Sequence, residues 1–252
     1  MRPGGLGGLD IWVAQRDTLD SPWGPPVNLG PTINSSAADH CPLLTPDSHH
    51  LIFVSTRPGG FGGNDLYIAW RRDARDDFAW GSPVNLGATI NSPFTDFTPG
   101  FFEEEGGSQI LYFASNRPGG FGGQDVYMSV GLDFQFGPAV HVPELSTPAD
   151  DLFPMPRRDG LELFLTSNRP GSIPDALGAP SNDLWVSTRP STAHPWGAPV
   201  NMGPAINTGF GESRGAISFS RTILVFFSDR PGGVGGADLY QTTREKLTGP
   251  PP

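Results

Sequence analysis

Arg57-Pro-Gly-Gly-Phe-Gly-Gly-Asn-Asp-Leu-Tyr67 decides the fold, because the chain writes this phrase repeatedly. Arg117-Pro-Gly-Gly-Phe-Gly-Gly-Gln-Asp-Val-Tyr127 and Arg230-Pro-Gly-Gly-Val-Gly-Gly-Ala-Asp-Leu-Tyr240 are near copies. Arg2-Pro-Gly-Gly-Leu-Gly-Gly-Leu-Asp-Ile-Trp12 is a fourth, and a longer fifth runs from Arg169-Pro-Gly to Asn182-Asp-Leu-Trp185. Successive arginines stand 55, 60, 52 and 61 residues apart. A fixed period of this size means one supersecondary unit used repeatedly.

Each period reads as four strands. In one of them, strand a covers 97–102, strand b is Ile110-Leu-Tyr-Phe-Ala-Ser115, strand c is Asp125-Val-Tyr-Met-Ser129 and strand d is Pro138-Ala-Val-His-Val142. Strand b is apolar without alternation in every copy, as in Leu51-Ile-Phe-Val54 and Ile223-Leu-Val-Phe-Phe227, which suits a strand covered on both faces. Strand d carries its own phrase, Trp80-Gly-Ser-Pro-Val-Asn85 or Trp196-Gly-Ala-Pro-Val-Asn201. A repeated four-stranded antiparallel unit with a doubly covered inner strand is the blade of a β-propeller. The expected fold is therefore all-β, a single propeller domain over 1–252 that starts and ends mid-repeat. Five phrase copies favour five blades. Four close the fold if the N-terminal strand d completes the last unit.

The 34 glycines and 28 prolines act as punctuation between apolar runs. A formal net charge of −10 disfavours nucleic acid and anionic membrane surfaces as partners. No apolar run reaches membrane-spanning length, so no membrane insertion is expected. Cys41 is the single cysteine, which excludes an intrachain disulfide and a multi-cysteine zinc site. It reads as a small buried hydrophobe.

In an up-and-down blade the b–c and d–a loops share one face, so the recurring polar residues gather there. The arginine and aspartate of the phrase bracket a glycine-rich hairpin. Arg57 with Asp65, Arg117 with Asp125, Arg169 with Asp183 and Arg230 with Asp238 are read as structural repeat residues, each pair closing its hairpin by an ion pair. The irregular charged c–d loop, Arg71 to Asp77, is read as solvating the opposite face.

A second set recurs at the start of strand a: Asp39, Asp96, Asp151 and Glu212, lying 18, 21, 18 and 18 residues before the following arginine. Three readings are open for it. Each carboxylate caps N–H groups of its own loop; the four form a ring at one mouth of the propeller that holds a cation such as calcium or another ligand; or they supply acid and base for sugar hydrolysis. His40 and Arg214 have no counterpart in other copies and polarise the set. The long phrase at 172–182 is an insertion on the same face. The serines before each arginine lack a Gly-x-Ser-x-Gly setting, so no serine hydrolase is indicated.

The phrases Ser-Asn-Arg-Pro-Gly-Gly-x-Gly-Gly-x-Asp-x-Tyr at 115–127 and Asp47 to Arg57 resemble the WD40-like repeats of TolB-type β-propeller proteins. That resemblance implies a non-enzymatic binding or scaffold module for a protein, peptide or glycan, without cofactor and without a catalytic motif. It also implies a periplasmic or cell-surface location. The alternative from the residues is a propeller glycoside hydrolase or cation-binding propeller built on the acidic set.

Overall fold

Strand b forms the centre of each sheet because its run of β-branched and aromatic residues is buried along its whole length. The computed structural model describes residues 2–18 and 20–245. The chain opens with a ribbon, β1 (Trp12–Val13) paired with β2 (Val27–Asn28). Blade one is β3 (Asp39–Leu44), β4 (His50–Ser55), β5 (Asp65–Trp70) and β6 (Val84–Asn85), hydrogen-bonded in that order. Blade two is β7 (Asp96–Glu103), β8 (Gln109–Ser115) and β9 (Asp125–Leu132). Its outer edge is shared by β10 (Gln135–Phe136) and β11 (Val140–His141). Blade three is β12 (Asp151–Pro156), β13 (Glu162–Ser167), β14 (Asp183–Thr188) and β15 (Val200–Asn201). Blade four stops at three strands, β16 (Glu212–Ile217), β17 (Ile223–Ser228) and β18 (Asp238–Thr243).

The protein is thus all-β, with four antiparallel blades in a β-propeller arrangement and no helix among the described residues. The count is the smaller of the two the sequence left open. Five phrases overcount because the first copy brings only the β1–β2 ribbon, without strands a and b.

The chain divides into two compact units, Met1–Pro99 with Phe136–Pro138, and Gly100–Gln135 with Ala139–Pro252. In the first, Ile11, Ile33, Phe53, Tyr67 and Trp80 form a core. In the second, Phe102, Tyr112, Val126, Leu163, Leu165, Trp185 and Trp196 form another, with the Trp196 indole donating to the Tyr112 hydroxyl at 3.1 Å. Within each unit, one blade is stitched to the next through the head of strand a. Asp39 N–H donates to Leu9 C=O and Asp96 N–H to Asn64 C=O in the first; Asp151 N–H donates to Gln124 C=O and Glu212 N–H to Asn182 C=O in the second. These links fix every inner strand from its first residue.

Candidate functional site

The acidic residue at the head of strand a is fully buried in all four blades. In blade one, Asp39 accepts the Ser35 N–H at 2.5 Å, the Ser35 hydroxyl at 2.8 Å and the Ser55 hydroxyl at 2.6 Å. Arg57 Nη2 donates to it at 2.7 Å and also to Ile33 C=O, while Arg57 Nε donates to Ser55 Oγ. Blade three repeats this with Asp151, Thr147, Ser167 and Arg169. Blade four repeats it with Glu212, Thr208, Ser228 and Arg230. In blade two, Asp96 accepts the N–H and hydroxyl of Ser92, and Arg117 Nε donates to Ser115 Oγ. We call the acid, serine and arginine a latch, since together they tie loop, strand a and strand b.

This corrects the expected hairpin ion pair. Arg57, Arg169 and Arg230 reach the inner-strand acid 18 residues earlier, and the phrase aspartate binds its own loop. Asp65 takes the N–H groups of Phe61 and Gly62 and the Asn85 amide; Asp125 takes those of Phe121 and Gly122; Asp183 takes the Ile173 N–H and the Asn201 amide; Asp238 takes the Gly235 N–H. The glycines make this possible, because a Cβ at Gly60, Gly120 or Gly233 would collide with the carboxylate. Arg71 also departs from its expected solvating role. It is buried, bonded to Ser48 C=O, Asp76 C=O and the Asp77 carboxylate, and stacked 4.4 Å from the Trp80 ring.

Identical latches titrate differently. Burial pushes the Asp39 carboxyl up, but the hydrogen bonds of Arg57, Ser55 and Ser35 outweigh it and leave the pKa lowered. Burial of Asp151 prevails over Arg169, Ser167 and Thr147, and leaves its pKa raised. The blade-three arginine is the more deeply covered of the two, 7% exposed against 17% for Arg57.

Two residues beyond the acid, strand a bulges. Its register with strand b slips between His40 and Leu43, between Leu152 and Met155, and between Ser213 and Ala216. The bulged residue is never glycine yet lies in the left-handed region: Cys41 at φ 49°, Thr98 at 56°, Phe153 at 51°, Arg214 at 58°. Proline follows it in three blades, as Pro42, Pro99 and Pro154, consistent with proline's confinement to bulges within sheets. Bulges re-aim side chains, and strained non-glycine residues gather at functional positions. Here the side chain differs in every blade.

In blade one the bulge turns His40 and Cys41 toward each other. His40 Nε2–H donates to Asn64 Oδ1 at 3.1 Å, leaving Nδ1 to accept from the Cys41 thiol at 3.1 Å. Cys41 is half-buried rather than the fully buried hydrophobe expected. In blade four Arg214 is exposed, with its guanidinium 4.7 Å from the centre of the Phe153 ring. The structure thus joins Arg214 to a residue the sequence reading passed over. The insertion at 172–182 forms a small hairpin, closed by a Pro174–Pro180 bridge, whose Pro174 carbonyl abuts Gly209 in the loop before β16.

Two acids outside the latch were also missed. Asp150 and Asp229 stand where other copies have alanine, threonine or glycine, and threonine or asparagine. Each holds one backbone N–H through Oδ1, that of Gln124 at 3.0 Å and that of Gly211 at 2.7 Å. Asp150 is half-buried and Asp229 exposed. Among the described residues, no three of histidine, cysteine, aspartate and glutamate converge as metal ligands.

No protein-family model matches the chain. No curated protein matches it either. Solved structures do. An endo-arabinase from Bacteroides thetaiotaomicron aligns at 12% identity and TM-score 0.62 over 96% of this chain and 88% of its own. An α-L-arabinofuranosidase from Lactobacillus brevis aligns at 14% and 0.60, over 87% of this chain and 78% of its own. A xylan β-1,4-xylosidase from Bacillus halodurans aligns at 13% and 0.62, over 96% of this chain and 50% of its own. The likeness is one of fold, and it supports the propeller. It also corrects the expectation of a non-enzymatic binding or scaffold module, since these matching propellers are enzymes that act on glycans.

Proposed function

We propose that this chain acts on a glycan as a propeller glycoside hydrolase. The observation that carries the reading is the shared blade arrangement over 96% of the chain with an endo-arabinase. Fold alone does not bring activity, so the site must supply the chemistry. Hydrolysis of a glycosidic bond needs two carboxyls, one to protonate the leaving oxygen and one to act as base or nucleophile. The latch acids are buried and fully engaged in holding their blades, so they do not reach a substrate oxygen. Asp150 and Asp229 meet the requirement better. They lie in the same unit, in successive blades, at the ends of strands a and b on the face of the d–a and b–c loops. They break the repeat, and each keeps an oxygen beyond its single backbone bond.

The test is release of reducing ends from arabinan, xylan and polygalacturonate. The wild-type chain should cleave at least one of them. Asp150→Asn and Asp229→Asn should each lower turnover by about 100-fold or more, with melting temperature unchanged. Absence of cleavage of any of these polymers by the wild-type chain would overturn the reading.

A further inference from the structure

Arg214 stands apart from the other arginines. Arg57, Arg169 and Arg230 serve latches, and Arg71, Arg75, Arg157, Arg221 and Arg244 pair with aspartate or glutamate. Arg214 has no acidic partner among the described residues, although the chain carries a net charge of −10. Its backbone N–H donates to the Thr166 hydroxyl of blade three at 3.1 Å, and its guanidinium rests on Phe153 and, at 5.9 Å, near Phe227. The left-handed backbone at both 153 and 214 disfavours a non-glycine side chain at each. Two adjacent bulges in one unit therefore spend conformational energy to bring an exposed guanidinium against an aromatic ring.

A guanidinium stacked by its face is held in plane while its N–H edge stays open. That edge matches a carboxylate, which it binds through two parallel hydrogen bonds. We infer that Arg214, seated on Phe153, is a specificity-determining contact for a carboxylate-bearing sugar, so that the glycan taken here is uronic-acid rich. This inference rests on the glycan reading above and narrows its substrate class.

Polygalacturonate and its methyl ester form a matched pair, because esterification removes the charge and keeps the backbone. Binding of both, and of neutral arabinan, is measured by titration calorimetry for the wild type, Arg214→Gln and Arg214→Lys, each checked by thermal melting. The wild type should bind polygalacturonate about tenfold or more tightly than its ester, the scale of a charge-assisted hydrogen bond. Arg214→Gln should erase that preference, and Arg214→Lys, which keeps the charge without the fork, should retain only part of it. Equal wild-type affinity for acid and ester overturns the inference, as does an undiminished preference in a folded Arg214→Gln. If arabinan binds and neither pectic polymer does, the inference falls and the glycan reading stands. If no polymer binds and none is cleaved, both fall.

Discussion

Asp39, Asp151 and Glu212 head three inner strands and make the same bonds; Cys41, Phe153 and Arg214, two residues later, make three different sets. The first position is buried, satisfied and repeated. The second is strained and variable, and in blade four it is exposed. A residue repeated in every blade answers a need that every blade has, which is to fix loop, strand a and strand b together. A single ligand does not present the same face to every blade. The position that varies, on a backbone held in place by the one that does not, is where recognition is built. The latch is architecture; the bulge is the presenting surface.

The largest effect separating the two should come from Arg169→Ala. It removes one partner of a buried ion pair and leaves the Asp151 carboxyl without its counter-charge, a loss of about 3–5 kcal/mol. Chemical denaturation should show it directly, while the folded fraction at low denaturant still binds glycan. A change below about 1 kcal/mol would remove the latch from the architecture.

Much of this comparison was legible in the chain. The phrase period and the apolar strand b announced the blades, and the constant 18-residue offset between acid and arginine already encoded the latch. Sequence proximity misdirected the pairing. Arg57 and Asp65 are neighbours in the phrase, but the glycine turn wraps its N–H groups around the aspartate and leaves the arginine to the inner strand. The bulge left one trace, Pro42, Pro99 and Pro154 inside strands that should not tolerate proline. The meeting of Phe153 with Arg214 left none, because it depends on two blades packing side by side 61 residues apart in sequence. Asp150 and Asp229 were visible as departures from the repeat and were overlooked because the recurring acids drew attention first.

A smaller effect should distinguish latches from one another. The folded pKa of Asp39 is depressed, so its contribution to stability is present above 3.8 and lost as pH falls through the folded value. The folded pKa of Asp151 is raised, so its contribution is present below 3.8 and lost as pH rises through the folded value. Denaturation free energies measured from about pH 2 to 6 should show Asp39→Asn flattening the acid loss of stability. Asp151→Asn should instead remove a loss that grows toward neutral pH. Identical pH profiles for the two variants would show that the latches are electrostatically equivalent.

The smallest effect on stability should accompany the largest effect on binding, in Arg214→Gly. Removing the side chain relieves a left-handed residue of about 1–2 kcal/mol. It forfeits about 0.5–1 kcal/mol of exposed stacking on Phe153 and adds glycine's backbone entropy of about 0.5–1 kcal/mol, so the terms nearly cancel. One paired measurement therefore tests the division between latch and bulge most directly: denaturation and polygalacturonate titration of Arg214→Gly beside the wild type. The account predicts stability unchanged within about 0.5 kcal/mol and affinity reduced about tenfold or more. Stability lowered by about 2 kcal/mol with affinity intact would contradict it, and would make the bulge one more piece of architecture.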